Sequence, residues 1–342
     1  MSTTIKNNEI SKVFAVAPMM DWTDRHCRYF HRLISGKALL YTEMITSAAL
    51  IRGKAHYLLD YSEAEHPLAV QLGGSDPIEL AEAALLCEER GYKEINLNIG
   101  CPSDRVKAGC FGAVLMEQPA LVASCLKQMR KTVSIDVTVK CRIGIDNQNP
   151  DEVLPDFLSK ISDVGINKVI IHARKALLGS LSPKQNRDIP PLNYSLVSKM
   201  KDKFPMLHIS LNGGITSLQS ASDLLDSEFD GVMIGRSAYT TPWDILSNVD
   251  EYIFGDTPRV GTRFDIILNM QPYIKKHLAT GGKVNQVTRH MIGLFNGQEN
   301  SKKWRRFLSD EANLPGANES ILLDAYETMV SNIECERKVH VS

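Results

Sequence analysis

The sequence is short of the features that mark secreted, membrane-embedded or metal-clustered proteins. Its 342 residues contain seven cysteines, an odd number with no C-x-x-C pair. That count and spacing argue against a disulfide framework, a zinc ribbon or an iron–sulfur run, and fit a reducing compartment. No apolar run approaches the length needed to cross a bilayer. The opening stretch MSTTIKNNEISK is polar and lacks the apolar centre of a secretion signal. The expected location is therefore the cytoplasm, with no membrane contact. Excess charge of one sign is lacking too. The formal net charge is -1, so any nucleic-acid affinity must come from a local basic surface. Gly-x-Gly-x-x-Gly is missing, because GCFGAV at Gly109 has the wrong spacing and follows no strand. A stably held, Rossmann-bound dinucleotide is therefore not indicated. No metal site and no obligate protein partner are indicated either.

What is present is an ordinary globular composition, 43% hydrophobic and 23% charged, on a chain long enough for a large domain and a modest second one. Short apolar segments recur, each closed by Gly, Pro or a polar group. They are VFAVAPM from Val13, LLYTEM from Leu39, PLAVQLGG from Pro67 and EINLNIGCP from Glu94. DVTVKCRIG from Asp136, KVIIHAR from Lys168, HISLNGG from His208 and GVMIGR from Gly231 complete the series. Helical stretches such as DPIELAEAALLCEERGY and QPALVASCLKQMRKTV lie between them, with Asp76 or Gln118 near the start and Pro77 or Pro119 in the first turn. Eight strands alternating with helices predict an α/β fold of the (β/α)8 TIM-barrel type. A doubly wound open sheet is the runner-up, but it rarely uses eight parallel strands in so regular a series. From about Gly255 the strand-like segments cease. FDIILNMQPYIKKHLATGG, VTRHMIGLFNG, SKKWRRFLSDEA and ESILLDAYETMVSNIECERK all show helical periodicity. The expected organisation is a catalytic barrel over 1–254 and a small all-helical domain over 255–342.

In such a barrel the active site lies at the carboxyl ends of the strands. Those ends carry Pro18-Met19-Met20, Glu43, Gln71, Asn98 with Cys101, Lys140 with Arg142, His172 with Arg174, Asn212-Gly213-Gly214 and Gly235-Arg236. Hydrophobic strands have no folding reason to finish so often on a polar group, so the set points to a ligand. The seventh and eighth tips occupy the place where barrels hold phosphate. Glycines there let backbone N–H groups approach the oxygens, and Arg236 adds a fork of donors. The bland alternative is that Gly213 and Gly214 simply make a tight turn. Gln71, Lys140 and His172 suit an isoalloxazine ring, with an amide for its pyrimidine-like edge and a cation for the reduced anionic form. Lys140 has a competing reading as a Schiff-base amine, as in barrel aldolases. Cys101 is either a buried thiol filling a gap or a proton donor facing a substrate ring. Saturating a uracil-like ring needs hydride at C6 and a proton at C5, a pairing that a reduced flavin and a thiol provide. Lys140 and Arg142 nearby would lower the thiol pKa and oppose the acid role. The sequence leaves that balance open.

The stretches APMMDWTDRHCRYF, LLYTEM, QLGG, INLNIGCPSDRV, GCFGA, IHARKA, LNGGI and IGR together resemble the signatures of the tRNA-dihydrouridine synthase family. HARKALLGSLSPKQNRDIPPLNY, TRHMIGLF and WRRFLS resemble its bacterial A subfamily (DusA). The likeness runs from Val13 to about Ala312. It implies an FMN-binding barrel, a helical tRNA-binding domain and reduction of D-loop uridines, with positions 20 and 20a as the expected targets, by tightly bound FMN recharged from NADPH. By motif, Pro18, Met19, Met20, Gln71, Lys140, His172, Asn212, Gly213, Gly214, Gly235 and Arg236 would hold FMN. Cys101 would donate the proton and Asn98 would touch tRNA. Met20 stands where leucine or another apolar residue is often found, a mild change that removes no functional group.

A barrel mouth that receives a nucleotide also needs phosphate contacts. Lys184 and Arg187 in SPKQNRDIPP, and Lys302, Lys303, Arg305 and Arg306 in SKKWRRF, are the candidates, each cluster otherwise reading as a solvated face. Trp304 shares no helix face with Lys302 and Arg306 and is expected in the core. The target uridine would have to leave its stack to enter the pocket. His26, His31, His290 and Cys27 are expected to be structural or surface groups, and Cys87, Cys125 and Cys335 packing residues. Cys110 has no assigned role. Two rival functions stand beside the leading one. A flavin barrel acting on a free pyrimidine is disfavoured because it needs no basic docking surface. A non-catalytic tRNA-binding protein is disfavoured by the presence of Cys101, Lys140 and His172.

Overall fold

The structure is a computed structural model that describes residues 12–103 and 109–339, with side chains through Ser331. Eight strands form: β1 Val13–Val16, β2 Leu40–Thr46, β3 Leu68–Gly73, β4 Glu94–Ile99, β5 Asp136–Arg142, β6 Lys168–His172, β7 His208–Asn212 and β8 Gly231–Ile234. All are parallel and pair in the order β1-β8-β7-β6-β5-β4-β3-β2. The ring closes where Ala15 bridges Leu39 in parallel. There Val16 N–H donates to the Leu39 carbonyl and Leu39 N–H to the Phe14 carbonyl, both at 2.9 Å. This is a closed TIM barrel, and closure excludes the open doubly wound sheet.

The strands are buried on both faces and read as near-continuous runs of Val, Ile and Leu for that reason. The wall helices show the same economy. Helix Pro77–Glu89 starts where Asp76 caps the Ile78 and Glu79 amides, and it buries Leu80, Ala83, Ala84 and Cys87. That stripe packs beside helix Pro119–Thr132, which buries Val122, Cys125, Leu126 and Met129. Cys87 and Cys125 are packing residues here, while the Cys335 side chain lies outside the described residues.

No strand follows Ile234 among the described residues. Three short helices lead to Arg263–Ala279, Val284–Thr288, Ser301–Glu311 and Ile321–Val339. Trp304 is 0% exposed, and its indole N–H donates to the Met291 carbonyl at 3.1 Å. These helices seat on the barrel through helix Arg25–Ile34. Tyr29 stacks on Tyr273 at 4.1 Å, and His26 shares a 2.8 Å hydrogen bond with the Tyr273 hydroxyl. Asp24 takes an Arg289 bond at 2.6 Å and a His290 bond at 3.0 Å. His26, His31, His290 and Cys27 are therefore buried structural groups.

Candidate active site

β3 to β8 deliver their polar ends to one side of the barrel. On β3, Gln71 is buried, and its Oε1 accepts from Asn98 Nδ2 at 2.8 Å across to β4. Asn98 Oδ1 then accepts the backbone N–H groups of Gly100 and Cys101, at 3.0 and 2.9 Å. The Cys101 carbonyl accepts from Ala113 N–H at 3.0 Å. Arg142 at the end of β5 donates Nε to the Gly100 carbonyl at 2.9 Å and Nη1 to the Lys175 and Asn186 carbonyls at 2.9 and 3.0 Å. The Cys101 backbone is thus fixed on both sides while its side chain stays part-exposed, with Sγ 3.6 Å from Ser103 Oγ.

Lys140 Nζ donates to Asn212 Oδ1 at 2.9 Å, and Asn212 Nδ2 donates to the Met233 carbonyl at 2.8 Å, so one line of bonds joins β5, β7 and β8. Burial, reinforced by the Arg142 charge, pulls Lys140 down to about 8. Burial also brings Arg142 down to about 10. His172 lies well below its usual range because it is buried and faced by Arg142, Lys140, Arg174 and Arg187. At neutral pH it is a neutral imidazole that hydrogen-bonds without adding charge. Lys140 and Arg142 both feel the Cys101 sulfur electrostatically, as does Arg187.

Gly213 and Gly214 take φ of +108° and +76°, conformations open to glycine. A Cβ on Gly213 would come within 2.6 Å of His172 Cδ2, and one on Gly214 within 2.5 Å of Leu192 Cδ1. At Gly235 a Cβ would meet Ala17 Cβ and Met19 Sδ in ordinary van der Waals contact, at 3.7 and 3.8 Å. That closeness brings the Pro18-Met19-Met20 turn beside the β8 tip. Met19 N–H donates to Thr23 Oγ1 at 3.0 Å, and Met20 is 56% exposed.

Arg236 donates to the Asp188 carboxylate at 2.7 Å, and Arg174 reaches the Asp188 and Pro190 carbonyls. Arg174 Nε is buried and has no partner among the described residues. Lys184 and Arg187 are exposed on the same β6 loop. Lys302, Lys303, Arg305 and Arg306 lie on helix Ser301–Glu311, apart from the strand tips. Arg306 pairs with Asp310 at 3.4 Å. Arg305 donates to Asn296 at 3.3 Å, and Asn296 bonds the Thr240 carbonyl just beyond β8. Two features went unread in the sequence. The three-loop clamp of Arg142 carries no local signal, and Asp188 reads as a plain loop acid.

A flavin phosphate needs close backbone approach and unspent cationic donors. Glycines at 213, 214 and 235 leave the backbone of two adjacent tips without side chains, Arg174 Nε has no partner among the described residues, and the Arg236 guanidinium spends one nitrogen on Asp188. The isoalloxazine needs an amide and a cation, which Gln71 and Lys140 match. The donor set fits FMN.

Fold and site together describe a barrel that carries a glycine pair and an arginine on two adjacent strand tips, with a thiol, an amine and an imidazole at the same end. The family model described as dihydrouridine synthase (Dus) matches residues 15–332, and the chain belongs to that family. It is 51% identical over 334 residues to the tRNA-dihydrouridine(20/20a) synthase of Shewanella oneidensis, covering 96% of this chain and 99% of that one. To the tRNA-dihydrouridine(20/20a) synthase of Escherichia coli K12 it is 54% identical over 310 residues, 90% and 89% of the two chains. An old yellow enzyme homologue from Zymomonas mobilis is similar at 11% identity and a TM-score of 0.47, over 68% of this chain and 86% of that one. A likeness of that size says nothing about activity.

Proposed function

We propose that this chain is a flavin-dependent tRNA-dihydrouridine(20/20a) synthase that holds FMN tightly and is recharged by NADPH. The observation that carries the reading is the pairing of a backbone-fixed, part-exposed Cys101 with the Lys140–Asn212–Gly213–Gly214–Arg236 cradle on the same barrel end. When bound, FMN supplies the hydride that C6 of the uracil ring receives. Cys101 gives a proton to C5 from the opposite face. Lys140, drawn to about 8 by burial, still carries its charge at neutral pH and would set it beside an anionic ring edge. Neutral His172 and Gln71 orient the ring, and Arg236 with Gly213, Gly214 and Gly235 takes the phosphate; Pro18, Met19 and Met20 line the adjoining wall. Asn98 holds the Cys101 loop through its carbonyl oxygen and keeps one amide hydrogen for the substrate base.

Residues 1–254 act as the catalytic barrel and 255–342 as the tRNA-binding domain. Lys184 and Arg187 guide tRNA phosphates at the mouth, and Lys302, Lys303, Arg305 and Arg306 meet them on the helical side. The enzyme works in the cytoplasm; among the described residues no helix is long and apolar enough to cross a membrane. The test is purification followed by turnover. The protein should be yellow, release FMN on denaturation, and convert uridine to dihydrouridine in D-loop-containing tRNA with NADPH. A colourless protein that cannot be reconstituted with FMN refutes the reading.

A further inference from the structure

β4 turns Glu94, Asn96 and Asn98 into the barrel, at the two-residue spacing that puts side chains on one face. Barrel interiors are ordinarily filled by branched apolar residues. Here an apolar cluster of Ala15, Ala17, Tyr41, Ala69, Ile170 and Met233 fills only part of the space. Beside it runs an unbroken hydrogen-bonded line. Glu94 Oε1 accepts from the Tyr41 hydroxyl at 2.7 Å and from Thr138 Oγ1 at 2.8 Å. Thr138 Oγ1 accepts from Asn96 Nδ2 at 2.9 Å, and Asn96 Oδ1 accepts from Gln71 Nε2 at 2.8 Å. Gln71 Oε1 accepts from Asn98 Nδ2, and Asn98 Oδ1 takes the Gly100 and Cys101 amides. The line runs from the foot of β4 to the backbone of the thiol. Asn96 and Gln71 are 0% and 1% exposed, so water cannot replace a broken link.

A carboxamide fits a cavity either way round, and its neighbours decide the choice. At the upper end two N–H donors face Asn98, so its oxygen must point up. At the foot Glu94 Oε1 accepts from both the Tyr41 and Thr138 hydroxyls, bonds that counter the rise burial imposes on its carboxyl, and with that oxygen accepting every donor in the line points towards it. Reversing the line would set the Asn98 NH2 group against two backbone N–H groups. Both ends agree on a single polarity.

We propose that Glu94 is a positioning residue for the reaction: its carboxylate sets the direction of the buried amide line, which holds Asn98 and, through it, Cys101 in place. The inference rests on the reading of Cys101 as proton donor.

The test compares Glu94→Leu, which removes the acceptor, with Glu94→Gln, which keeps an oxygen able to take both bonds. In the flavin-loaded full chain, Glu94→Leu should lower kcat for tRNA reduction about tenfold or more, with KM for tRNA within about twofold of wild type. In the unliganded chain, alkylation of Cys101 by iodoacetamide, followed by mass spectrometry with Cys110 as internal reference, should quicken about threefold or more as the loop loosens. Glu94→Gln should restore both. Thr138→Val, nearly isosteric, cuts the line one link away and should reproduce the Leu effects; it decides the matter if Glu94→Leu fails to fold. The proposal is overturned if a folded Leu or Val variant keeps either Cys101 alkylation or kcat within about twofold of wild type, or if Gln is as impaired as Leu. Alkylation needs neither flavin nor tRNA. An unchanged rate therefore refutes the positioning role alone, and a wild-type chain that never reduces tRNA refutes the proposed function alone.

Discussion

Replacing Lys140 with Met should change how stability varies with pH, in a direction fixed by the structure. Burial, then the Arg142 charge, lowers the amine from 10.5 to about 8. Between those values the unfolded chain carries the proton and the folded chain does not, so wild-type stability rises as pH climbs through the window. Below about pH 8 the folded chain bears the full cost of holding the charge. A displacement of that size corresponds to about 3 kcal/mol for a group cut off from water, and Lys140 keeps partial exposure, so about 1–2 kcal/mol is expected. The lost Nζ bond to Asn212 costs the variant about 1 kcal/mol at every pH. At neutral pH the two effects nearly cancel, and the discriminating quantity is the change with pH. Urea titrations of the unliganded chains should show wild type gaining about 1–2 kcal/mol on Lys140→Met between about pH 7.5 and pH 10. A difference that stays flat, or moves the other way, would refute the buried-amine account and with it the idea that an anionic ligand relieves the cost.

Cys101→Ala should bind FMN and tRNA as wild type does but lose single-turnover reduction of tRNA uridine; undiminished reduction would place the proton donor elsewhere. Lys184→Ala combined with Arg187→Ala should weaken tRNA binding and lessen its log-log salt slope by about 2, and unchanged affinity would remove this loop from the docking surface. Gly213→Ala forces a Cβ into φ +108° and against His172, so flavin affinity should fall and the chain should lose about 1–3 kcal/mol of stability. Flavin fluorescence titration and thermal melts read the two effects.

Every strand that period-two alternation and Gly or Pro stops indicate is present, from Val13–Val16 to Gly231–Ile234, because each is a short apolar run closed by a turn residue. The Asp76-Pro77 helix start was legible for a similar reason, since an N-cap side chain and a first-turn proline act within a few residues. The polar tips stood out because apolar strands seldom end so often on polar groups, but nothing local in the sequence separates a tip that serves the fold, as Asn98 and Arg142 do, from one that would serve a ligand. Cross-strand chemistry was not legible. Asn96 and Asn98 stand out as a polar face, yet their partners Gln71 and Thr138 become neighbours only once the β3–β4–β5 register is set. The Arg142 clamp needs three loops assembled first. Glu94 alone offered a signal, standing two residues before Asn96 on the same face.

Acid should loosen the seat of the helical region on the barrel before it unfolds the barrel wall. Burial, partly countered by Asp24, lowers His26 to about 4, with His277, Arg25 and His290 pushing the same way as burial. His31 on the same helix falls to about 3 through burial and then His290. Both are neutral at pH 7, where His26 shares its bond with Tyr273 and lies 4.4 Å from the His277 ring. Between about pH 6.5 and pH 4 an unfolded or undocked chain binds protons that the docked one refuses, so stability falls with falling pH. Asp24, held far below the carboxylate range with His290 and Arg289 on its oxygens, extends the loss to still lower pH. For the nearly buried His26 the upper bound is about 3 kcal/mol by pH 4, and half of that would lower the melting temperature by several degrees. Calorimetry at about pH 7 and pH 5 should show the drop, and His26→Gln, which keeps a partner for the Tyr273 hydroxyl, should reduce it. An equal drop in that variant, or none in wild type, would mean that these imidazoles do not hold the seat.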